Sequence, residues 1–302
     1  MMQSNMLNRS AAMASITVAV FLVGLKSWAA WSTGSTAMLG SLADTALDLI
    51  ASIATLLGVW VAAQPEDKGH RFGHGKAEAL AAMFQVVLIS ISALSLGLTA
   101  VEQFLAGSRV EAASEGIGVS VAAIAATLVL LAWQRHVLRR TGSLAIATDH
   151  VHYQSDLLLN LAVIAALVLD QYGGIAGADP VFGFLIALWL GWGAWKASQA
   201  AIDQLMDKEW PEDKRESFLA AIPRLPELRG VHDLRTRTAG DRDFAQFHVW
   251  LDGTLTIVEA HRVMDAIETA LKSAFPDVEV LIHPDPVGHR DQGLAAANVL
   301  PR

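Results

Sequence analysis

The sequence predicts an α-helical membrane protein with six transmembrane helices and a C-terminal α+β domain. Three observations carry this reading. The 302 residues are 53% hydrophobic and only 17% charged. The charge is lopsided, with 10 Lys/Arg and 12 Asp/Glu before residue 203 and 12 and 18 from Asp203 onward. Mean hydropathy is +0.39, and six apolar runs each reach about 18 residues or more, enough to cross a bilayer core. This composition disfavours a secreted enzyme, a disordered protein and a nucleic-acid binder. A pI near 5.6 offers no general basic surface. Without cysteine there is no disulfide, thiolate metal site or thiol nucleophile.

The six runs cover residues 11–31, 36–63, 79–105, 116–133, 143–169 and 181–201. The first is too long for a cleavable signal peptide, lacks a small-residue cleavage pattern and is followed by five more spans. The segments after spans two and four hold Lys68, Arg71, Lys76, Arg135, Arg139 and Arg140, whereas those after spans one, three and five hold only Arg109. Positive charge stays inside, so the first group is cytoplasmic, and an even number of spans leaves both termini there. Trp28, Trp31, Trp60 and Trp133 lie near span ends, where an aromatic belt and ordinary helix packing both fit. The expected organisation is a transmembrane domain over 1–205, a cytoplasmic domain over 206–290 and a flexible tail over 291–302.

In the cytoplasmic part, residues 211–222 read as a helix with Pro near its start. Residues 231–237 and 244–251 read as strands around the turn-like Ala239-Gly240-Asp241. Residues 256–275 read as an amphipathic helix and 278–282 as a short last strand. The order αββαβ fits a ferredoxin-like α+β sandwich with its helices on one sheet face.

Charges stand where lipid is expected. Asp44 and Asp48 interrupt span two in SLADTALDLI, and His152 and Asp156 interrupt span five in ATDHVHYQSD. Spacing of i, i+4 puts each pair on one helix face, a turn apart. One ionised carboxylate at membrane depth costs roughly 2.5–3.5 kcal/mol on the insertion scale. A divalent cation compensates that cost, and three carboxylates with one imidazole, two groups from each helix, suit a tetrahedral shell. A proton relay, or polar contact between helices, is the competing reading. The donor set suits zinc, ferrous iron, cadmium or manganese better than calcium or magnesium. If protein groups fill all four positions none is left for a catalytic water, which favours carrying an ion over hydrolysis. Asp149 and His150 precede the second pair. Asp149 shares the helical face, as a support for the ligands, a mouth residue or simply a polar residue near a helix end.

Two further groups have metal-ligand character. Asp67, His70 and His74 lie in EDKGHRFGHGKAE between spans two and three, with glycines at 69, 73 and 75 that allow a tight wrap. A solvated loop and a metal-binding loop both fit that pattern. His232, His248, His261 and His283 come from four elements of the tail, with Asp285 after His283. His232, His248 and His283 fall in or beside strands, so strand pairing decides whether they converge.

Metal and protons compete for such ligands, because His binds metal when neutral and acids bind it when ionised. A His titrating near pH 6.5 makes binding sensitive to modest pH differences, and rocking of the bundle exposes the site to each side in turn. Two other classes stand beside an exchanger. A membrane metalloenzyme lacks support, since neither H-E-x-x-H nor G-x-S-x-G occurs. A passive metal channel predicts flux that ignores a pH gradient.

Six spans, Asp-x3-Asp in span two, HGKAE in the loop, HYQSD in span five, and HDLRTR and HPDP in the tail together resemble the cation diffusion facilitator family, most closely its zinc/iron (YiiP-type) branch. The likeness runs from about residue 9 to 286. It implies a homodimer in a cell inner membrane, joined through membrane and cytoplasmic domains, that exchanges cytoplasmic Zn2+ for protons, with Fe2+ or Cd2+ as alternative substrates. It implies a transport site of Asp44, Asp48, His152 and Asp156 and a loop site of Asp67, His70 and His74. It also implies a two-metal site of His232, His248, His261, His283 and Asp285 that helps to join the protomers. Lys76 and Asp207 match positions of a charge interlock. Two departures stand out. Pro284 replaces the Gln expected between His283 and Asp285, and EDKGH is less acidic than the corresponding loop.

Overall fold

Among the described residues, 2–33, 36–106, 117–173 and 178–289 of this computed structural model, six long helices come first. They are α1 (Met2–Thr33), α2 (Thr36–Ala62), α3 (Ala77–Ala106), α4 (Ile117–Thr141), α5 (Leu144–Gly173) and α6 (Ala178–Leu205). The expected flexible tail over 291–302 lies outside the described residues. The chain divides into two units, Met1–Ile202 and Asp203–Arg302.

Among the described residues, five helical stretches are long and apolar enough to cross a membrane: Ser4–Ser32, Asp44–Ala62, Ala77–Ala106, Val121–Thr141 and Pro180–Leu205. The remaining expected span is α5. At 30 residues and about 1.5 Å per residue it is long enough to cross. Its first half carries Asp149, His150, His152 and Asp156, so its apolarity is interrupted where the ligand candidates stand.

Leu47, Ile50 and Leu57 of α2 and Ile91, Leu94 and Leu98 of α3 are exposed, as lipid-facing positions require. Small residues fill the inside. Ala11, Ala12, Ala81 and Ala145 pack with Val59, Val137 and Ile146, which lets helix backbones approach closely. A second cluster joins Val86, Ile89 and Ala93 of α3 to Ile186, Leu190 and Ala194 of α6.

The second unit has the order α7 (Glu212–Ala220), β1 (Leu228–Ala239), β2 (Arg242–Leu251), α8 (Ile257–Ala274) and β3 (Val278–Pro286). The sheet order is β1-β2-β3. β1 and β2 are antiparallel, joined at Gly240, whose φ of 65° suits a residue without Cβ. The crossover through α8 makes β3 parallel to β2. Phe218 of α7 and Val263, Ile267 and Leu271 of α8 pack with Val231, Phe247, Val249 and Val278, so both helices cover one sheet face. Thr256 caps α8 in a reciprocal box. Its hydroxyl accepts from the Glu259 N–H at 3.3 Å, and the Glu259 carboxylate accepts from the Thr256 N–H at 2.8 Å.

Strand bounds differ from the sequence expectation. β1 begins at Leu228 rather than 231, and β3 runs to Pro286 rather than 282. Neither extension alternates in hydrophobicity; pairing with β2 defines both.

Candidate metal centres

The i, i+4 geometry of α2 and α5 brings part of the intramembrane set together. His152 Nε2 lies 2.9 Å from Asp48 Oδ1 and 3.9 Å from Asp156 Oδ2. One ligand atom from each of these residues lies within 4.8 Å of the others. Ligands at about 2.0–2.2 Å from a tetrahedral zinc are roughly 3.4 Å apart, so small side-chain shifts close this triangle on an ion. Asp44 lies one turn earlier on α2, exposed and outside that group.

The orientation of α5 is fixed from both sides of His152. Tyr153, buried, has its hydroxyl 2.9 Å from Ser52 Oγ of α2 and donates to the Ser15 carbonyl of α1 at 3.2 Å. One turn before His152, Asp149 is fully buried. It accepts from Ser15 Oγ at 2.6 Å, Gln134 Nε2 at 2.8 Å and Gln85 Nε2 at 2.9 Å. Gln85 Nε2 also donates to Thr55 Oγ1 at 2.6 Å. Four helices therefore meet at one carboxylate, and Gln85 links a fifth, α2, to it. His150 points its Nδ1 to Gln134 Oε1 at 3.1 Å. The hydrogen-bond partners of Asp149 (Ser15, Gln85 and Gln134) are not among the candidate ligands. The glutamines escaped sequence reading because each is a single polar residue in an apolar helix with no spacing signal.

The loop set converges. Asp67 Oδ1 accepts from the N–H groups of Gly69 at 2.7 Å and His70 at 2.6 Å, a turn that aspartate favours. His70 Nδ1 and His74 Nε2 each stand 3.4 Å from its carboxylate. The His70 N–H, joined by the Gly69 N–H and the two imidazoles, holds the Asp67 carboxyl below the usual carboxylate range against the opposing effect of desolvation. Asp67 and His70 are exposed, while His74 is half-buried. Gly73, with φ 76°, makes the turn that returns His74 to Asp67.

In the tail, strand register does the assembly. His232 of β1 pairs with His248 of β2, and His248 pairs with His283 of β3. Side chains alternate along a strand, so these three share a face opposite the core residues Val231 and Val249. Asp285, two residues beyond His283, joins the same face. Its carboxylate lies 2.8 Å from His248 Nδ1, 3.2 Å from His232 Nε2 and 3.4 Å from His283 Nε2. His232, His248 and Asp285 are all buried, with ligand atoms within 4.8 Å of one another. Burial lowers the His232 pKa more than the Asp285 carboxylate raises it, so this imidazole is biased to the neutral, ligating form. The Trp250 ring stacks on it at 4.4 Å.

His261 stands apart, 68% exposed on α8 and 3.7 Å from Asp265. Asp233 was missed by sequence reading. Its carboxylate lies 3.8 Å from His248 Nε2. Alternation assigns Asp233 to the face opposite His232, but its φ of 50° and a register shift after His232 turn the strand there. Pro284, which lacks an N–H, sits in β3 at the edge of the sheet, where proline is tolerated.

Comparison with known proteins decides the family. Residues 12–206 match the cation efflux transmembrane domain, and residues 210–287 match the cytoplasmic domain of cation efflux proteins. The chain belongs to the cation diffusion facilitator family. It is 41% identical to the cation-efflux pump FieF of Cronobacter sakazakii over 276 residues, 91% of this chain and 92% of that one. It is also 41% identical to FieF of Pectobacterium carotovorum, over 92% of both chains. Among solved structures, the zinc form of the transporter CzrB is 40% identical over 28% of this chain and 99% of its own, with a TM-score of 0.26. This facilitator is thus a multi-pass membrane transporter for divalent cation efflux rather than an enzyme.

Proposed function

We propose that this facilitator carries Zn2+, with Fe2+ or Cd2+ as alternative substrates, out of the cytoplasm in exchange for protons. The transport site is the set on α2 and α5: Asp48, His152 and Asp156, completed by Asp44 one turn away. The observation that carries this reading is His152, whose Nε2 stands between carboxylates of two helices, 2.9 Å from Asp48 and 3.9 Å from Asp156. Protons and metal compete for those same atoms, which gives exchange a physical basis. Alternating movement of helices around the site opens it to one side and then the other.

The protein lies in the inner membrane with both termini cytoplasmic and works as a homodimer. The loop group of Asp67, His70 and His74 receives metal on the cytoplasmic side. The tail group of His232, His248, His283 and Asp285, with His261, binds zinc and helps join two protomers. The buried, neutral-biased His232 supports this assignment.

The test is zinc flux in proteoliposomes under an imposed pH gradient, for the native chain and for Asp48→Ala. Flux that follows the gradient and vanishes in the variant is expected. Flux that ignores the gradient makes the protein a channel, and undiminished flux in the variant removes the site.

A further inference from the structure

Lys26 is a cation inside α1, seven residues before the helix ends at Thr33. Its ammonium lies 2.6 Å from Thr45 Oγ1 and 3.4 Å from the Ser41 carbonyl, both on α2. Those partners are neutral. A lysine at the centre of a span costs roughly 2.5–3.5 kcal/mol, and the hydroxyl and carbonyl beside Lys26 supply no counter-charge. Thr45 is buried, directly follows Asp44 and precedes Asp48 by three residues on the same helix. The hydroxyl that holds the ammonium therefore belongs to the stretch of α2 that carries Asp44 and Asp48. Asp48 is in turn grouped with Asp156 of α5, so the ammonium is held on the helix that brings two of the site's acids to the third.

A fixed positive charge beside a divalent-cation site has a definite sign of effect. It offsets the repulsion among the acids when no ion is bound. It repels an ion that is bound. Both effects weaken binding and favour release, and in a medium of low polarity they act over several ångströms.

We propose that Lys26 is a tethered counter-cation of the intramembrane site, which takes the place of the divalent ion in the field of Asp44, Asp48 and Asp156 and so sets the affinity and the rate of release. It is a positioning charge rather than a ligand. The Thr45 hydroxyl and Ser41 carbonyl hold it in place. This inference rests on the transport site proposed above.

The experiment compares the native chain, Lys26→Gln and Lys26→Arg, with Asp48→Ala as the site control. Zinc affinity is measured by equilibrium binding to the full chain carrying His232→Ala, Asp285→Ala and Asp67→Ala, which removes the other two groups. Zinc flux is measured in proteoliposomes. Lys26→Gln is expected to bind zinc about tenfold more tightly and to lower both KM and maximal flux. Lys26→Arg is expected to restore native values, because it keeps the charge. A lysine that only reaches for the membrane interface leaves affinity and KM unchanged in Lys26→Gln, and that result overturns the proposal. Weaker binding in Lys26→Gln overturns it too. If binding in the native background is insensitive to Asp48→Ala, the transport site itself is at fault, and that outcome is distinguishable from failure of the lysine's role. Should Lys26→Gln fold poorly, Thr45→Val releases the ammonium from its tether and is expected to change KM in the Lys26→Gln direction, but less.

Discussion

Gln85 Nε2 donates to Asp149 Oδ1 at 2.9 Å, tying α3 to α5 through a side chain that also holds Thr55 of α2. Ser15 and Gln134 hold the other carboxylate oxygen. Removing the carboxylate takes the acceptor from one buried N–H each of Gln85 and Gln134, at about 1–3 kcal/mol apiece, while the Ser15 hydroxyl keeps the Ala11 carbonyl at 3.1 Å. Asp149→Ala is therefore expected to lose about 2 kcal/mol or more of stability and to impair flux, although Asp149 need not touch the ion. Thermal unfolding of the detergent-solubilised protein checks this. A loss below about 1 kcal/mol shows that the hub does not hold the helices together.

The contact between α2 and α3 has an equally specific weak point. A Cβ at Gly58 clashes with the Ala81 Cβ and comes within 3.2 Å of the Ala77 carbonyl. Neither neighbour is the end of a flexible chain, so the helices must part. Gly58→Ala is expected to cost about 1–3 kcal/mol, the usual range for overpacking. Because the first clash is with one methyl, Ala81→Gly in the same chain restores most of the loss, a coupling that a double-mutant cycle measures. Independent, additive losses would place the strain elsewhere.

How far the sequence carried depended on the period that the structure used. The i, i+4 pairs on α2 and α5 were legible because a helix turns by a known angle, and Asp48, His152 and Asp156 do converge. Convergence of His232, His248 and His283 was legible only as a condition. Spacing along the chain is silent on register, and here register set all three side by side. Asp233 was hidden for the converse reason, since a backbone turn at positive φ breaks the alternation that sequence reading assumes. Gln85, Gln134 and Ser15 were illegible because a lone polar residue in an apolar span announces no partner, and its meaning appears only when five helices meet.

The lowered pKa of His232 has a consequence for the stability of the tail. An unfolded histidine titrates near pH 6.5, and the folded one does so below that because burial disfavours its charged form. As pH falls through 6.5 the unfolded chain takes up a proton that the folded chain refuses, so folded stability declines. It declines until pH passes the folded value. Above about pH 7 this residue contributes no pH dependence. Hydrogen exchange of β1 in the full metal-free chain, corrected for intrinsic rates, is expected to rise between pH 7 and 5.5 by more than in His232→Phe. Equal rises in both chains would assign the pH dependence to another group.

His232 and His261 stand in unequal places within the proposed tail site. His232 lies buried with His248 around Asp285, whereas His261 is 68% exposed on α8 with Asp265. Three buried ligands already fixed in place need little reorganisation to take zinc. An exposed imidazole on a helix must instead be brought to its partners, which the proposed homodimer would supply from a second protomer. His232→Ala is expected to remove the tighter tail-bound zinc, counted by equilibrium binding to the full chain. His261→Ala is expected to keep it and to lower only the weaker component, along with the dependence of binding on protein concentration. Flux against free zinc in the same two variants then shows which ion governs transport. A native flux curve in both makes tail zinc an assembly element alone, while loss of the tighter zinc in His261→Ala would place that side chain inside the buried group and contradict the geometry.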